Sequence, residues 1–309
     1  MTAPLPVPEA RAPATVGVAY AAGAYLAWGL LPLYFRALRH VPATEILAHR
    51  VIWSVLFLAG ALTLLRGWGS LRAGRLRGTW GVFATTTALL SVNWLLYIWA
   101  INNGRVLQAS LGYFITPLVN VVLGVVVLGE PLTRPQRVAV GLAAAAVVLQ
   151  LVGAGTIPWI SLVLAGSFGL YGLLRKRLQV DAVPALLVET LLMLPFAAAW
   201  LGWLAVHGTL TFARGELPGD LRSDLLLAAT GVVTAVPLLC FAQGARRLRL
   251  TTMGLLQYLA PMCQFLLAVL VFGEAFTSAH ALTFGLIWAA LVVYTFDTVR
   301  RLRRLVPAA

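Results

Sequence analysis

Four ionisable residues sit inside long apolar stretches of this sequence: Glu45, His49 and Arg50 in VPATEILAHRVIWSV, and Glu189 in LLVETLLMLP. Glu45 and His49 are four positions apart, so on a helix they share a face and can touch. A carboxylate beside an imidazole that titrates near neutral pH is chemistry for carrying a proton or holding a substrate charge. The competing reading is a structural ion pair, Glu45 with His49 or Arg50, that pins one helix to its neighbours. Glu189 has no basic residue within a helical turn of it. A carboxylate isolated in an apolar segment either finds a partner, with Arg175 and Arg246 the candidates, or carries a proton itself.

Uncharged polar residues form a second pattern. In ASLGYFITPLVNVVLGVVVLGE, from Ala109 to Glu130, the residues Ser110, Tyr113, Pro117, Asn120 and Gly124 recur every three or four positions and fall on one helical face. The stripe returns 144 positions later as Gly254, Gln257, Pro261, Gln264 and Ala268, and the register brings identical residues together at Pro117/Pro261, Gly129/Gly273, Glu130/Glu274 and Gly141/Gly285. Earlier in the chain, an offset of 140 sets Ala27-Trp28-Gly29 against Ser167-Phe168-Gly169 and His49 against Glu189. Self-similarity at a long offset marks an internal duplication. In a polytopic membrane protein it points to a transporter whose site lies between the repeats.

The elements that position these residues follow from composition. The chain has 309 residues, is 61% hydrophobic and 11% charged, and has a mean hydropathy of +0.90, values for an integral membrane protein rather than a soluble domain. A net charge of +13 does not indicate nucleic acid, because the basic residues lie between apolar runs rather than on a domain face. Cys240 and Cys263 fall within apolar runs, and the four histidines have no metal-ligand spacing, so neither a disulfide framework nor a metal site is expected. There is no GxxxxGK[ST] phosphate loop and no nucleophile–base constellation; no cofactor and no enzymatic activity are expected.

Apolar runs of spanning length occur at about 17–37, 43–65, 79–101, 105–128, 135–152, 157–174, 182–206, 222–244, 250–272 and 279–298. Ten spans place both termini on one side. With that side cytoplasmic, 17 Lys and Arg residues fall in cytoplasmic segments and 5 in the opposite loops, the bias that sets orientation. Five helices per repeat is an odd number, so the second repeat enters from the opposite face and the repeats are inverted. The expected division is a disordered cytoplasmic tail at 1–16, a first repeat at 17–152, an inverted second repeat at 157–298, and a basic cytoplasmic tail at 299–309.

The segments AYLAWGLLPLYF, HVPATEILAHR, NWLLYIWAINNG, SLGYFITPLVNVVLG, LGEPL, SFGLYGLLRK, ETLLMLP and TTMGLLQYLAP resemble the RarD-type subgroup of EamA transporters, in the drug/metabolite transporter superfamily. The resemblance covers about 17–298. It implies an all-α membrane fold of ten helices in two inverted five-helix repeats, a bacterial-type inner membrane location, and alternating access around a central cavity. It implies no particular substrate.

Within that frame the cavity candidates are Trp28, Asn93, Trp94, Tyr97, Ser110, Tyr113, Asn120, Gln257 and Gln264; the alternative for the polar ones is interhelical hydrogen bonding. Glu45, His49, Arg50 and Glu189 are the coupling or buried-charge candidates. Pro117 and Pro261, each interrupting a helix, are candidate hinges, with a static kink as the alternative. Trp68, Trp80, Trp159 and Trp203 suit interfacial belts. Glu130 and Glu274 read as structural carboxylates serving the start of the helix that follows each. The expected partners are a small-molecule substrate, the lipid bilayer and protons as the coupling ion, with no nucleic acid; a monomer is compatible with the sequence. The leading function is a secondary transporter exporting a small organic solute; the alternatives are a channel or receptor, or a facilitator that works without protons.

Overall fold

In the computed structural model, the described residues are 14–64, 66–71, 78–129, 133–154, 157–175, 178, 180–213, 220–248, 253 and 256–305. They form ten helices: α1 (Ala14–Ala37), α2 (Ala43–Leu64), α3 (Trp80–Asn102), α4 (Val106–Leu128), α5 (Arg134–Ala154), α6 (Trp159–Arg175), α7 (Ala182–Val206), α8 (Asp220–Arg247), α9 (Leu259–Leu266) and α10 (Ser278–Leu305). Seven are long and apolar enough to cross a bilayer by length and composition, and α6 and α9 are shorter apolar helices. Leu26, Leu56, Val126, Phe196 and Val292 stand exposed on their outer faces, as a lipid-facing surface requires. The all-α, ten-helix membrane fold expected from the sequence is the one observed.

The packing reproduces the duplication. α2 lies on α7, α4 on α9 and α5 on α10, so each helix of these pairs meets its own counterpart. The glycines matched at offset 140 explain their own spacing. A Cβ on Gly29 would stand 2.6 Å from Cys263 Cβ, where α1 crosses α9, and one on Gly169 would stand 2.9 Å from Val119 Cγ1, where α6 crosses α4. Cys263 and Val119 are themselves partners at offset 144, so one helix crossing has been built twice, in opposite orientations, and small residues permit the approach in both. Gly129 and Gly273, another matched pair, both adopt left-handed backbone (φ 66° and 65°), which favours glycine. Gly129 closes α4 by donating its N–H to the Val125 carbonyl at 3.1 Å.

Interhelical contacts sort the helix ends into two faces. On one, Glu45 meets Thr211, His40 meets Ser223 and Glu274 meets Val106. On the other, the Thr133 hydroxyl donates to Asp297 at 3.0 Å, and Arg247 lies 5.6 Å from the Tyr20 ring centroid. Trp68, Trp80, Trp159 and Trp203 are all substantially exposed.

Three boundaries differ from the sequence reading. α1 begins at Ala14, inside the tail expected at 1–16, whose first thirteen residues lie outside the described set. α10 runs to Leu305, through the expected basic tail, because Arg and Leu are good helix formers that need no membrane to stay helical. Within the run expected as one helix over 250–272, the described residues turn at Gln257 and Tyr258 and then form an α-helix over Leu259–Leu266. It finishes as a π-helical turn, Leu267–Val271, closed by the Phe272 N–H donating to the Leu267 carbonyl at 2.8 Å. The turn is wider than its α-helical equivalent although Pro261 and Gly273 keep the spacing of Pro117 and Gly129. Its counterpart α4 is a continuous helix.

Candidate functional site

The stripe helices meet directly. The Ser110 hydroxyl donates to the Pro261 carbonyl at 2.8 Å, joining α4 to α9 where both are fully buried. Pro117 is also buried, and the Thr116 hydroxyl donates back to the Gly112 carbonyl at 3.0 Å in the turn the proline interrupts. Gln264 is 2% exposed; its Nε2 donates to the Trp28 carbonyl at 3.3 Å, while its Oε1 has no partner. Trp28 packs edge-on against Tyr25 (5.6 Å between centroids) and beside Phe241 (5.8 Å). Gln257 lies in the turn before α9, its N–H bonded to the Met253 carbonyl. Asn120 is exposed, next to Gly169 of α6. Gly254 lies outside the described residues.

Asn93 ties α3 to α6: its amide nitrogen donates to the Leu164 carbonyl (3.1 Å) and the Ser167 hydroxyl (3.0 Å), and its oxygen accepts from the Tyr113 hydroxyl at 3.3 Å. Tyr97 packs 5.6 Å from Tyr113, is 3% exposed, and its hydroxyl has no partner.

The charges sort differently from the simplest sequence reading. Glu45 is completely buried, and its carboxylate accepts the Thr211 N–H (2.8 Å), the Thr211 hydroxyl (3.0 Å) and the Phe212 N–H (3.2 Å), so it holds the segment after α7. His49 Nε2 is 4.0 Å from Glu45 Oε1 and has no hydrogen bond; its ring lies against Phe212 at 4.7 Å. No pair forms between Glu45 and Arg50, which turns instead to α8, its Nε–H donating to Thr234 Oγ1 at 2.9 Å, and lays its guanidinium on the Trp94 ring, 3.8 Å from the centroid. The geometry explains this: residues five apart on a helix point to different faces.

Glu189, also completely buried, accepts from the Tyr171 hydroxyl at 3.1 Å, and its other oxygen has no partner. The expected bridge to Arg175 is not made. Tyr171, one helical turn before Arg175, stands between the two charges. The Arg246 side chain lies outside the described residues.

Glu274 corrects another expectation. It does not serve the helix that follows it; its two oxygens accept the Val106 N–H at 2.7 Å and the Leu107 N–H at 2.8 Å, capping the start of α4 in the other repeat. Burial pushes this carboxyl above the usual range, opposed by the two backbone donors and by Arg36. Glu130 lies outside the described residues.

A cavity of about 610 Å³ opens between α2, α3 and α7, lined by apolar side chains such as Leu47, Val51, Ala88, Met193, Phe196 and Trp200. None of the candidate residues lines it. Phe196 and Trp200 are exposed at its rim, so it is a crevice on the flank of the bundle.

Sequence reasoning missed the uncharged groups that face the two buried charges: Thr234 and Tyr34 near Arg50, and Tyr171 near Glu189. Thr230 and Thr234, one turn apart in an apolar run, were the available signal for the first.

The model of the EamA-like transporter family matches this chain twice, over residues 15–152 and 157–296. The chain belongs to the EamA-like transporter family. An uncharacterised transporter of Vibrio cholerae serotype O1 is 49% identical over 92% of this chain and 93% of its own length. Protein RarD of Streptomyces exfoliatus is 48% identical over 93% of this chain and 90% of its own, which supports the RarD-type placement within the EamA family. A solved crystal structure 21% identical to this chain superposes with a TM-score of 0.57 over 92% of this chain and 98% of the other, showing the shared fold. This EamA protein is therefore a multi-pass membrane transporter.

Proposed function

We propose that the chain exports a small organic solute across the inner membrane by alternating access, the two inverted repeats (17–152 and 157–298) rocking around a central cavity. Both termini are cytoplasmic in this reading, which the 17-to-5 bias of basic residues supports. The observation that carries it is the twofold helix crossing, Gly29 on Cys263 and Gly169 on Val119, around the Ser110–Pro261 contact. Two equivalent crossings in opposite orientations supply two equivalent ways to open, one to each side. Trp28, Asn93, Trp94, Tyr97, Tyr113, Asn120, Gln257 and Gln264 surround this region, with Pro117 and Pro261 as hinges. His49 and Glu189 are proposed to exchange protons with opposite sides, and each has a buried polar atom without a partner.

A solute screen in proteoliposomes carrying a pH-sensitive dye tests the reading. Accumulation driven by a pH gradient supports a proton-coupled exporter. Downhill flux unaffected by His49→Gln and Glu189→Gln replaces it with a facilitator, and flux of no solute at all removes transport from the account.

A further inference from the structure

Arg50 is a buried cation without a counter-ion. It is 6% exposed and lies seven residues into α2, about 10 Å from the helix end at 1.5 Å per residue. Its Nε–H is spent on Thr234, and its flat face is spent on Trp94, with Phe35 at 5.7 Å. Among the described residues no carboxylate oxygen comes within 4.0 Å of it, and the one hydrogen bond recorded for it runs from Nε to Thr234. The groups that act on it electrostatically from neighbouring helices are hydroxyls: Tyr34 of α1, Tyr97 of α3 and Tyr113 of α4. Tyr34 is committed to the Leu226 carbonyl and Tyr113 to Asn93, but the buried Tyr97 hydroxyl is unspent. The nearest acid in sequence, Glu45, is saturated by Thr211 and Phe212. An arginine kept only to hold helices together would be paired, because an uncompensated buried charge is costly.

We propose that Arg50 is the counter-ion for the cargo: the transported solute carries a carboxylate that docks on the free edge of the Arg50 guanidinium, with the Tyr97 hydroxyl as a further donor and the Trp94 and Phe35 rings beside its apolar part. A planar fork of N–H donors matches a two-oxygen planar anion, and the aromatic walls favour a flat or apolar body behind it. This rests on the transporter reading above and names its substrate class.

The test uses the full chain in phosphatidylcholine liposomes, with thermal unfolding followed by tryptophan fluorescence. Probes are matched pairs that differ in charge alone: phenylacetate and phenylacetamide, hexanoate and hexanamide, N-acetylphenylalanine and its amide. A carboxylate should raise Tm where its amide does not. Arg50→Gln should raise the half-saturating concentration about tenfold or more, with Arg50→Lys between, since it keeps the charge and loses the fork. Without ligand, Arg50→Gln should be at least as heat-stable as the parent, because it removes an uncompensated charge. The proposal is overturned if amides act as well as acids, if the carboxylate effect survives Arg50→Gln, if no carboxylate acts, or if ligand-free Arg50→Gln is markedly less stable. Flux of neutral solutes alone would sink this proposal and leave the transporter reading standing. Carboxylate-specific stabilisation without flux would do the reverse.

Discussion

Gly29→Ala measures how tightly the duplicated crossing is built. The added methyl would stand 2.6 Å from Cys263 Cβ, 3.1 Å from the Ala260 carbonyl oxygen and 3.3 Å from Ala260 Cα, all atoms held by the α9 backbone. Overpacking of this kind costs about 1–3 kcal/mol. Alanine regains up to about 1 kcal/mol of helix propensity, so a net loss of about 1–2 kcal/mol is expected. Gly23→Ala, on the same helix with nothing within 4 Å, is the control and should be neutral or slightly stabilising. Gly169→Ala should fall between, since it meets the flexible ends of Val119, Asn120 and Leu123. Thermal unfolding in detergent gives the order. Combining Gly29→Ala with Cys263→Gly removes the opposing Cβ and should recover about 1 kcal/mol relative to the sum of the single changes. Additive losses, or a Gly29→Ala protein as stable as the Gly23→Ala control, would refute the crossing geometry and the twofold packing argued from it.

Glu274→Gln should cost about 1 kcal/mol by weakening the cap on α4. It should also flatten part of the pH dependence of Tm. Because the Glu274 carboxyl is raised in the folded state, the native protein holds the extra proton between the ordinary carboxylate pKa and the raised one, so stability falls as pH rises through that window; an identical pH slope in the variant would exclude Glu274 as its source. Asn93→Ala should cost about 1–2 kcal/mol, since three interhelical hydrogen bonds of modest worth in a membrane are lost together; flux that collapses with Tm unchanged would assign Asn93 to the cargo instead. Pro117→Ala and Pro261→Ala should slow transport more than they lower expression, as hinge changes do; equal losses measured by flux per folded molecule favour a static kink. Alkaline phosphatase fused after Ala309 should be inactive, and an active fusion would reverse the orientation.

The parts legible in the sequence are those with a local or periodic signature. The apolar runs, the stripe of Ser110, Tyr113, Pro117 and Asn120, and its return around Pro261 announce ten helices and an inverted pair. The Gly29/Gly169 match was legible as part of the duplication, and the close crossings it permits came from the structure. What was not legible is which distant group each charge chooses. Glu45 takes the backbone of Thr211 and Phe212, Arg50 takes Thr234, and Glu274 reaches back across the chain to Val106, all contacts between residues more than 160 positions apart with no periodic trace. The π-helical turn at Leu267–Val271 escaped for another reason. The π turn changes neither hydropathy nor residue count, since Pro117 to Gly129 and Pro261 to Gly273 have the same spacing, so the comparison of repeats carries no sign of it.

A fixed positive charge about 10 Å along α2 from its first residue also bears on what is refused passage. A cation taking the path proposed for the cargo would pass Arg50, whose field is poorly screened where water is scarce. With no cargo carboxylate bound, sodium and potassium ions on that path would meet a barrier, as they do at the arginine constrictions of water channels. An inside-negative membrane drives cations inward with about 2.3 kcal/mol per charge for each 100 mV. A transporter that opened alternately to both sides under that force, as proposed above, would have to stay electrically tight, and an uncompensated Arg50 would supply the insulation.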